Sequence, residues 1–399
     1  MSASSGIALR AARASREEKS ARAPLKAALR YDPVLLGVVL LLTMFGVVMV
    51  YSSSAVYAQE RLHDGLWFFK RQAVGALLGL CTLLFAIKFG YRNLEKLAVP
   101  LLVLSVLLLV LVQLPGLGHA AGGARRWLRL GPLTFQPSEV AKIALVLWLS
   151  RSLARKGGRL QEFSVGLLPH LIMLGLFAGL LLLEPDFGTT VVLAACTFAL
   201  LFVAGARLTW LLGMLLAAVP TAAILIWRSP YRLQRWLTFL DPFKDPRGHG
   251  YQTVESLLGF GSGGAFGVGL GLSHQKLFFL PAAHTDFILS IVGEELGFAG
   301  VLCVLLLFSA LVWRGLKAAH ASSDAFGAYL ALGLTMLFSL EALVNAGMAL
   351  ALLPTKGMAL PFLSYGMTQL IASLFAAGIL LSISGGPGGF LKRADGGRR

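Results

Sequence analysis

The sequence predicts an all-α polytopic membrane protein. It has about ten transmembrane helices, both termini cytoplasmic, and a long extracytoplasmic loop between helices 7 and 8. Three observations predict this. The 399-residue chain is 57% hydrophobic and only 14% charged, well below the charge content of a water-soluble domain. Apolar runs of about span length recur near 34–51, 72–89, 97–114, 137–152, 165–183, 189–205, 208–227, 287–313, 325–350 and 361–383. Basic residues cluster in both tails and in alternate connections: Lys88/Arg92/Lys96, Arg151/Arg155/Lys156/Arg159, Arg207 and Arg314/Lys317. Short basic connections stay on the cytoplasmic side, which sets the orientation.

The organisation follows from the same reading. Residues 1–33 are Arg/Ala/Ser-rich with no apolar core or cleavage site, so they predict a basic disordered cytoplasmic tail rather than a signal peptide. Residues 34–384 form one membrane domain, and 385–399 a second basic tail. The net charge of +16 fits orientation and contact with anionic membrane lipid. No nucleic-acid motif accompanies it, so nucleic acid is not an expected partner. Cys81, Cys196 and Cys303 all lie in apolar runs and read as packing residues. No internal repeat is evident, which disfavours a transporter built from repeats.

The outer connections carry the chemistry. Arg125, Arg126 and Arg129 fall on the outer side against the charge rule. Arg126 beside Trp127 offers a cation and a flat apolar face, suited either to a phosphate and a sugar or to an interfacial aromatic belt. Pro137 suits the first turn of the fourth helix, and Glu139 its positive end. Glu139 and Lys142, three residues apart, predict a structural ion pair. Glu184-Pro185-Asp186 is a tight turn. Asp186 either caps the next helix or joins Glu184 in shaping a polar cavity.

The longest connection, about 228–285, is basic and Gly-rich. Such length inside a compact domain marks function. Arg232, Arg235, Arg247 and Lys276 make it a candidate anion site, since Arg gives bidentate and Lys point-charge contacts to phosphate. Gly259-Phe260-Gly261 and the glycines after it lack the strand and lysine of a nucleotide loop. His249, His274 and His284 lack zinc-site spacing, so no transition-metal site is expected. The loop ends at Asp286, which opens the eighth helix. It is either a helix-terminal carboxylate stabilised by the macrodipole or a general base next to lipid. Glu294 and Glu295, about two turns further on, read as packing or ion-pair groups.

Together these stretches resemble the SEDS family (shape, elongation, division and sporulation), and its division-type members more than its elongation-type members. The motifs are Arg126-Trp127, Gln136-Pro137-Ser138-Glu139, Glu184-Pro185-Asp186-Phe187-Gly188-Thr189, Asp241-Pro242, Gly250-Tyr251-Gln252, His284-Thr285-Asp286-Phe287, Glu294-Glu295-Leu296-Gly297, Pro354-Thr355-Lys356-Gly357 and Pro361-Phe362-Leu363-Ser364-Tyr365-Gly366. Departures occur at Met367-Thr368-Gln369, where the family usually has Gly-Ser-Ser, at Glu341, usually Gln, and at Ala351, usually Gly.

The resemblance implies an inverting peptidoglycan glycosyltransferase of the bacterial inner membrane, active on the extracytoplasmic side at the division septum. It implies lipid II as substrate. It also implies an FtsI-like class B penicillin-binding protein and other divisome proteins as partners. Asp286 matches the family's essential aspartate, the expected base. Arg126, Trp127, Lys276, Arg232, Arg235, Glu184, Asp186, Lys356 and Ser364 make up the candidate substrate-binding set. No cofactor is evident, and a divalent cation such as Mg stays open. The competing readings are a lipid II flippase and a non-catalytic divisome scaffold.

Overall fold

A computed structural model describes residues 31–121, 124–131 and 133–386. Nearly all of both predicted tails lies outside the described residues. The bundle helices follow the predicted apolar runs: α1 Pro33–Leu62, α2 Trp67–Phe89, α3 Tyr91–Gln113, α4 Pro137–Lys156, α5 Leu168–Leu183, α6 Phe187–Val203, α7 Leu208–Trp227, α10 Ile288–His320, α11 Ala325–Ala349 and α12 Met367–Ser384. Two shorter helices, α8 Pro230–Leu240 and α9 Tyr251–Gly263, lie in the long loop. Among the described residues eight helical stretches are long and apolar enough to cross a membrane, one of them Phe163–Leu183, which continues into α5. Of the other two, α6 is apolar but has 17 residues. In α4 the apolar stretch is interrupted by Glu139, Lys142 and Arg151. The chain is a multi-pass membrane protein.

Aspartates start three of the helices. Asp32 accepts from the Val34 and Leu35 amides and pairs with Arg314 of α10 at 2.5 Å. Asp186 caps α6 through the Thr189 amide. Asp324 caps α11 through Gly327 and receives the Tyr91 hydroxyl at 2.6 Å. Each cap satisfies amides that a helix leaves unpaired at its start, and Asp32 and Asp324 also join helices distant in sequence.

The most extensive helix packing is of α12 on α2. A Cβ on Gly79 would lie 2.4 Å from Leu374 Cδ1, and one on Gly378 would lie 2.6 Å from the Leu83 carbonyl. Small residues there let two membrane helices approach to backbone contact, where dispersion does the holding. By contrast α7 buries only Leu211, so its apolar surface is left to lipid.

Two features were not expected. Residues 118–135 form a three-stranded antiparallel sheet, β1 Gly118–Ala121, β2 Ala124–Leu130 and β3 Leu133–Phe135, in spatial order β1-β2-β3. It adds a small β element that the sequence did not announce, within a chain that is otherwise helical. The strands are short and glycine-flanked, and their stability comes from resting on α3 and α4. The packing prediction also shifts for Cys81 and Cys303, which are exposed on the outside of the bundle, whereas Cys196 is buried.

Inside α10 the backbone breaks at Gly297, with φ 67°. The loop stitches into this break. Val268 and Gly269 donate to the carbonyls of Glu294 and Glu295, while Phe298 and Ala299 donate to those of Gly264 and Ala265. Glycine is needed here twice over, because φ is positive and a Cβ would lie 2.4 Å from the Gly267 amide. Non-helical backbone at membrane depth survives only where other protein groups satisfy it, and the loop does so.

Candidate active site

Four segments meet at one end of the bundle: β2, the α5–α6 turn, α8 and the α11–α12 connection. They line a cavity of about 570 Å³ bordered by Arg126, Asp186, Phe187, Arg232, Arg235 and Lys356, among others. Asp286 lies beside it. A Cβ on Gly357, one of the lining residues, would sit 3.4 Å from Asp286 Oδ2 and 3.8 Å from Arg126 Nη1.

The backbone of Asp286 is fixed from two sides. Its carbonyl accepts from the Asn345 amide at 2.8 Å. The preceding Thr285 carbonyl accepts from Ser364 Oγ at 2.6 Å, and the His284 carbonyl from the Tyr365 amide at 2.9 Å. The carboxylate is left free to work: among the described residues no donor is hydrogen-bonded to it. Burial pushes it up to about 6, with Arg126 and Arg235 pulling it down and Asp186 pushing it further up. Desolvation outweighs two guanidinium groups, and the product is a carboxylate basic enough to accept a proton near neutrality.

Arg126 is aimed by its strand. β2 is irregular at this point: Trp127 pairs with His119 and Arg125 with Ala120, which leaves Arg126 as the extra residue between them, as in a bulge that re-aims a side chain. Arg126 donates from Nε to the Glu184 carbonyl at 2.9 Å and from Nη2 to the Pro185 carbonyl at 2.5 Å. Trp127, expected next to it in the site, is not among the cavity-lining residues. Helix α8 aims the other two arginines. Arg232 and Arg235, three apart, share one face, and Arg235 donates to the Thr355 carbonyl at 2.8 Å.

The two turn acids differ. Asp186 is engaged by Thr189 through both amide and hydroxyl, the latter at 2.8 Å. Glu184 is fully buried, and neither carboxyl oxygen has a partner among the described residues. Burial pushes it up to about 8, with Asp186 adding and Arg126 opposing, so it is neutral at pH 7. A carboxyl raised this way binds its proton in the folded state and releases it when unfolded. Stability is therefore lost as pH rises from the ordinary carboxylate range to about 8. Glu184→Gln removes that slope. Its melting temperature in detergent, relative to the parent chain, is expected to rise steadily between pH 5 and pH 8. A pH-independent difference would refute the neutral assignment.

Other predicted site residues lie elsewhere. Lys276 is buried and paired with Glu295 at 3.0 Å, and Glu295 also receives Ser52 Oγ at 2.7 Å. Glu294 accepts from Ser273 Oγ and from the His274 and Gln275 amides, the last two at 3.0 and 3.2 Å. Both glutamates are thus structural, and Lys276 is spent on one of them. Ser364 accepts from the Leu360 amide at 2.8 Å while donating to Thr285, so it shapes the support of Asp286 and does not face the cavity.

The predicted Glu139–Lys142 pair exists at 2.9 Å, but Lys142 also contacts Glu341 of α11. That third member lies 199 residues away in sequence, so an i,i+3 reading does not find it. Sequence reasoning also missed Asn345 as the holder of Asp286 and Phe187 as the ring that carries two cations. Lys356 Nζ lies 4.8 Å from its centroid and the Arg232 guanidinium 5.6 Å. A signal was present for each residue, since Phe187 stands next to Asp186 and Asn345 is polar within an apolar run.

A family model described as "Cell cycle protein", covering FtsW, RodA and SpoVE, matches residues 33–386. A "Probable peptidoglycan glycosyltransferase FtsW" of Trichlorobacter lovleyi is 49% identical over 365 residues, which is 92% of this chain and 96% of the relative. The "Stage V sporulation protein E" of Bacillus subtilis is 38% identical over 354 residues, covering 88% and 96%. Among solved structures, a chain from "Structural coordination of polymerization and crosslinking by a peptidoglycan synthase complex" aligns with TM-score 0.74 and 33% identity over 89% of this chain and 97% of that one. The rod shape determining protein RodA of Thermus thermophilus aligns with TM-score 0.66 and 30% identity, covering 89% and 96%.

Proposed function

Since the chain belongs to the FtsW/RodA/SpoVE family of cell cycle proteins, we propose that it is a peptidoglycan glycosyltransferase that polymerises lipid II during cell division. The observation that carries the mechanism is Asp286, an unengaged carboxylate raised to about 6 at the edge of a cavity walled by cations. Asp286 takes the proton of the acceptor GlcNAc 4-hydroxyl. The freed oxygen attacks the anomeric carbon of the donor sugar, and the lipid diphosphate leaves. An α-linked donor becomes a β-1,4 product in one displacement. A diphosphate leaves as a stable anion without a general acid, so one carboxylate suffices where glycoside hydrolysis takes a pair.

Arg126 and Arg235 stand nearest Asp286 electrostatically. Both are held by backbone carbonyls, so they are pre-aimed and stabilise developing charge without reorganising. Positioning by the fixed Thr285–Asp286 backbone supplies the remaining advantage. The cavity opens at the bundle end opposite the basic connections, which supports an extracytoplasmic site at the septum. A class B penicillin-binding protein is the expected partner, in line with the synthase complex to which the chain is similar.

The test is polymerisation of lipid II by the purified full-length protein, with its transpeptidase partner, in detergent. Glycan strands are expected. Their absence, with lipid II movement seen only in vesicles, would favour a flippase.

A further inference from the structure

Resting on the lipid-diphosphate donor assigned above, we propose that Phe187, Arg232 and Lys356 form the subsite that holds the donor's diphosphate, with the ring gathering the two cations. Arg126 and Arg235 are held by backbone carbonyls on the Asp286 side of the cavity, and Lys276 is paired with Glu295 outside it. Among the described residues Arg232 makes one hydrogen bond, at 3.2 Å to the Leu225 carbonyl, and Lys356 Nζ makes none. Among the described residues neither forms an ion pair, although both line the cavity.

Both cations sit against the same aromatic ring, at 5.6 and 4.8 Å from its centroid. A ring face attracts a cation within about 6 Å, but two like charges sharing one ring repel each other. An anion carrying at least two charges removes that repulsion, and a diphosphate is such an anion. Arg gives it a planar fork and Lys a point charge. Burial holds the Lys356 ammonium below its ordinary range, with Asp186 opposing, so a bound dianion would restore what desolvation takes away.

The three residues come from the α6 start, α8 and the α11–α12 connection, so the cradle exists only in the folded bundle. Asp186 already caps the α6 amides, which leaves the side chains, not the helix end, to bind the anion. The surroundings suit a lipid-linked ligand. Ile226 and Trp236 line the same cavity, and Tyr231, Leu237 and Leu240 are exposed on α8. An interfacial helix places such residues at the lipid boundary while its arginines face inward. The base and the departing group then occupy two sides of one cavity, with Gly357 between them.

The experiment is titration of the full-length protein in detergent with farnesyl diphosphate, farnesyl monophosphate and inorganic pyrophosphate. The parent chain is expected to bind the diphosphates more tightly than the monophosphate, and farnesyl diphosphate more tightly than inorganic pyrophosphate. Arg232→Ala and Lys356→Ala are each expected to weaken diphosphate binding about tenfold, the size of one lost charge-assisted contact. Phe187→Leu keeps apolar volume and both charges, and is expected to weaken it about threefold or more. Arg232→Lys and Lys356→Arg keep the charge and guard against misfolding as the cause, because they should retain most of the affinity. Asp286→Asn should leave diphosphate binding unweakened. Diphosphate affinity unchanged in both alanine variants, or no preference over monophosphate, overturns the subsite. Lack of polymerisation by a parent chain that still binds diphosphate would instead count against the glycosyltransferase reading.

Discussion

Asp286→Asn is expected to reduce glycan synthesis from lipid II by about 10²- to 10⁴-fold, the range that a positioned general base contributes. The amide is isosteric but takes no proton. The parent chain should also show an acid limb. Below about pH 6 Asp286 is protonated, and the rate should fall about tenfold per pH unit. Loss of activity through misfolding predicts something different for stability. A carboxyl raised on folding costs stability once the pH exceeds its unfolded value, because ionisation is then opposed only in the folded state. Asp286→Asn removes that cost and should melt no lower than the parent at pH 7. Undiminished strand synthesis by Asp286→Asn would sink the base assignment.

Lys142→Ala is expected to have the largest effect on stability. Lys142, Glu139 and Glu341 are all at least nine-tenths buried, and the lysine holds both carboxylates. Removing the cation strands two acids in a low-dielectric bundle, where breaking a buried pair costs about 3–5 kcal/mol. Expression and melting temperature in detergent should both fall. Glu341→Gln should do far less harm, because Lys142 keeps Glu139 and the net charge of the group becomes zero. Family members usually carry Gln at this position, which is consistent with that expectation. Equal melting of Lys142→Ala and the parent would mean that the two acids are neutral without the lysine.

The bundle was legible because lipid leaves few options. A span needs a long apolar run, and such runs mark α1 to α3 and α10 to α12 without ambiguity. Even α4 was legible, because Pro137 and Glu139 announce a helix start. The sheet at 118–135 was not, since its strands are short and their support comes from α3 and α4. At the site, Asp286 and the cationic loop were legible in the sequence, and their mutual placement was not. Lys276 looked like an anion binder because its partner Glu295, read as a packing or ion-pair group, lies beyond the loop with nothing in the sequence to join the two. Trp127 looked like a cavity wall because neighbours in sequence were read as neighbours in space, and at the irregularity in β2 only Arg126 lines the cavity. Glu184 gave no sign in the sequence that it would be sealed from solvent.

The stitch at Gly297 has a mechanical meaning. Residues 264–269 are bonded to α10 on both sides of its break, and Glu294 and Glu295 hold residues 273–276 beside it. The Asp286 segment is therefore clamped at both ends to one stiff body rather than hung on a slack tether. The position of the carboxylate is thus set jointly by α10 and by the loop stitched into it.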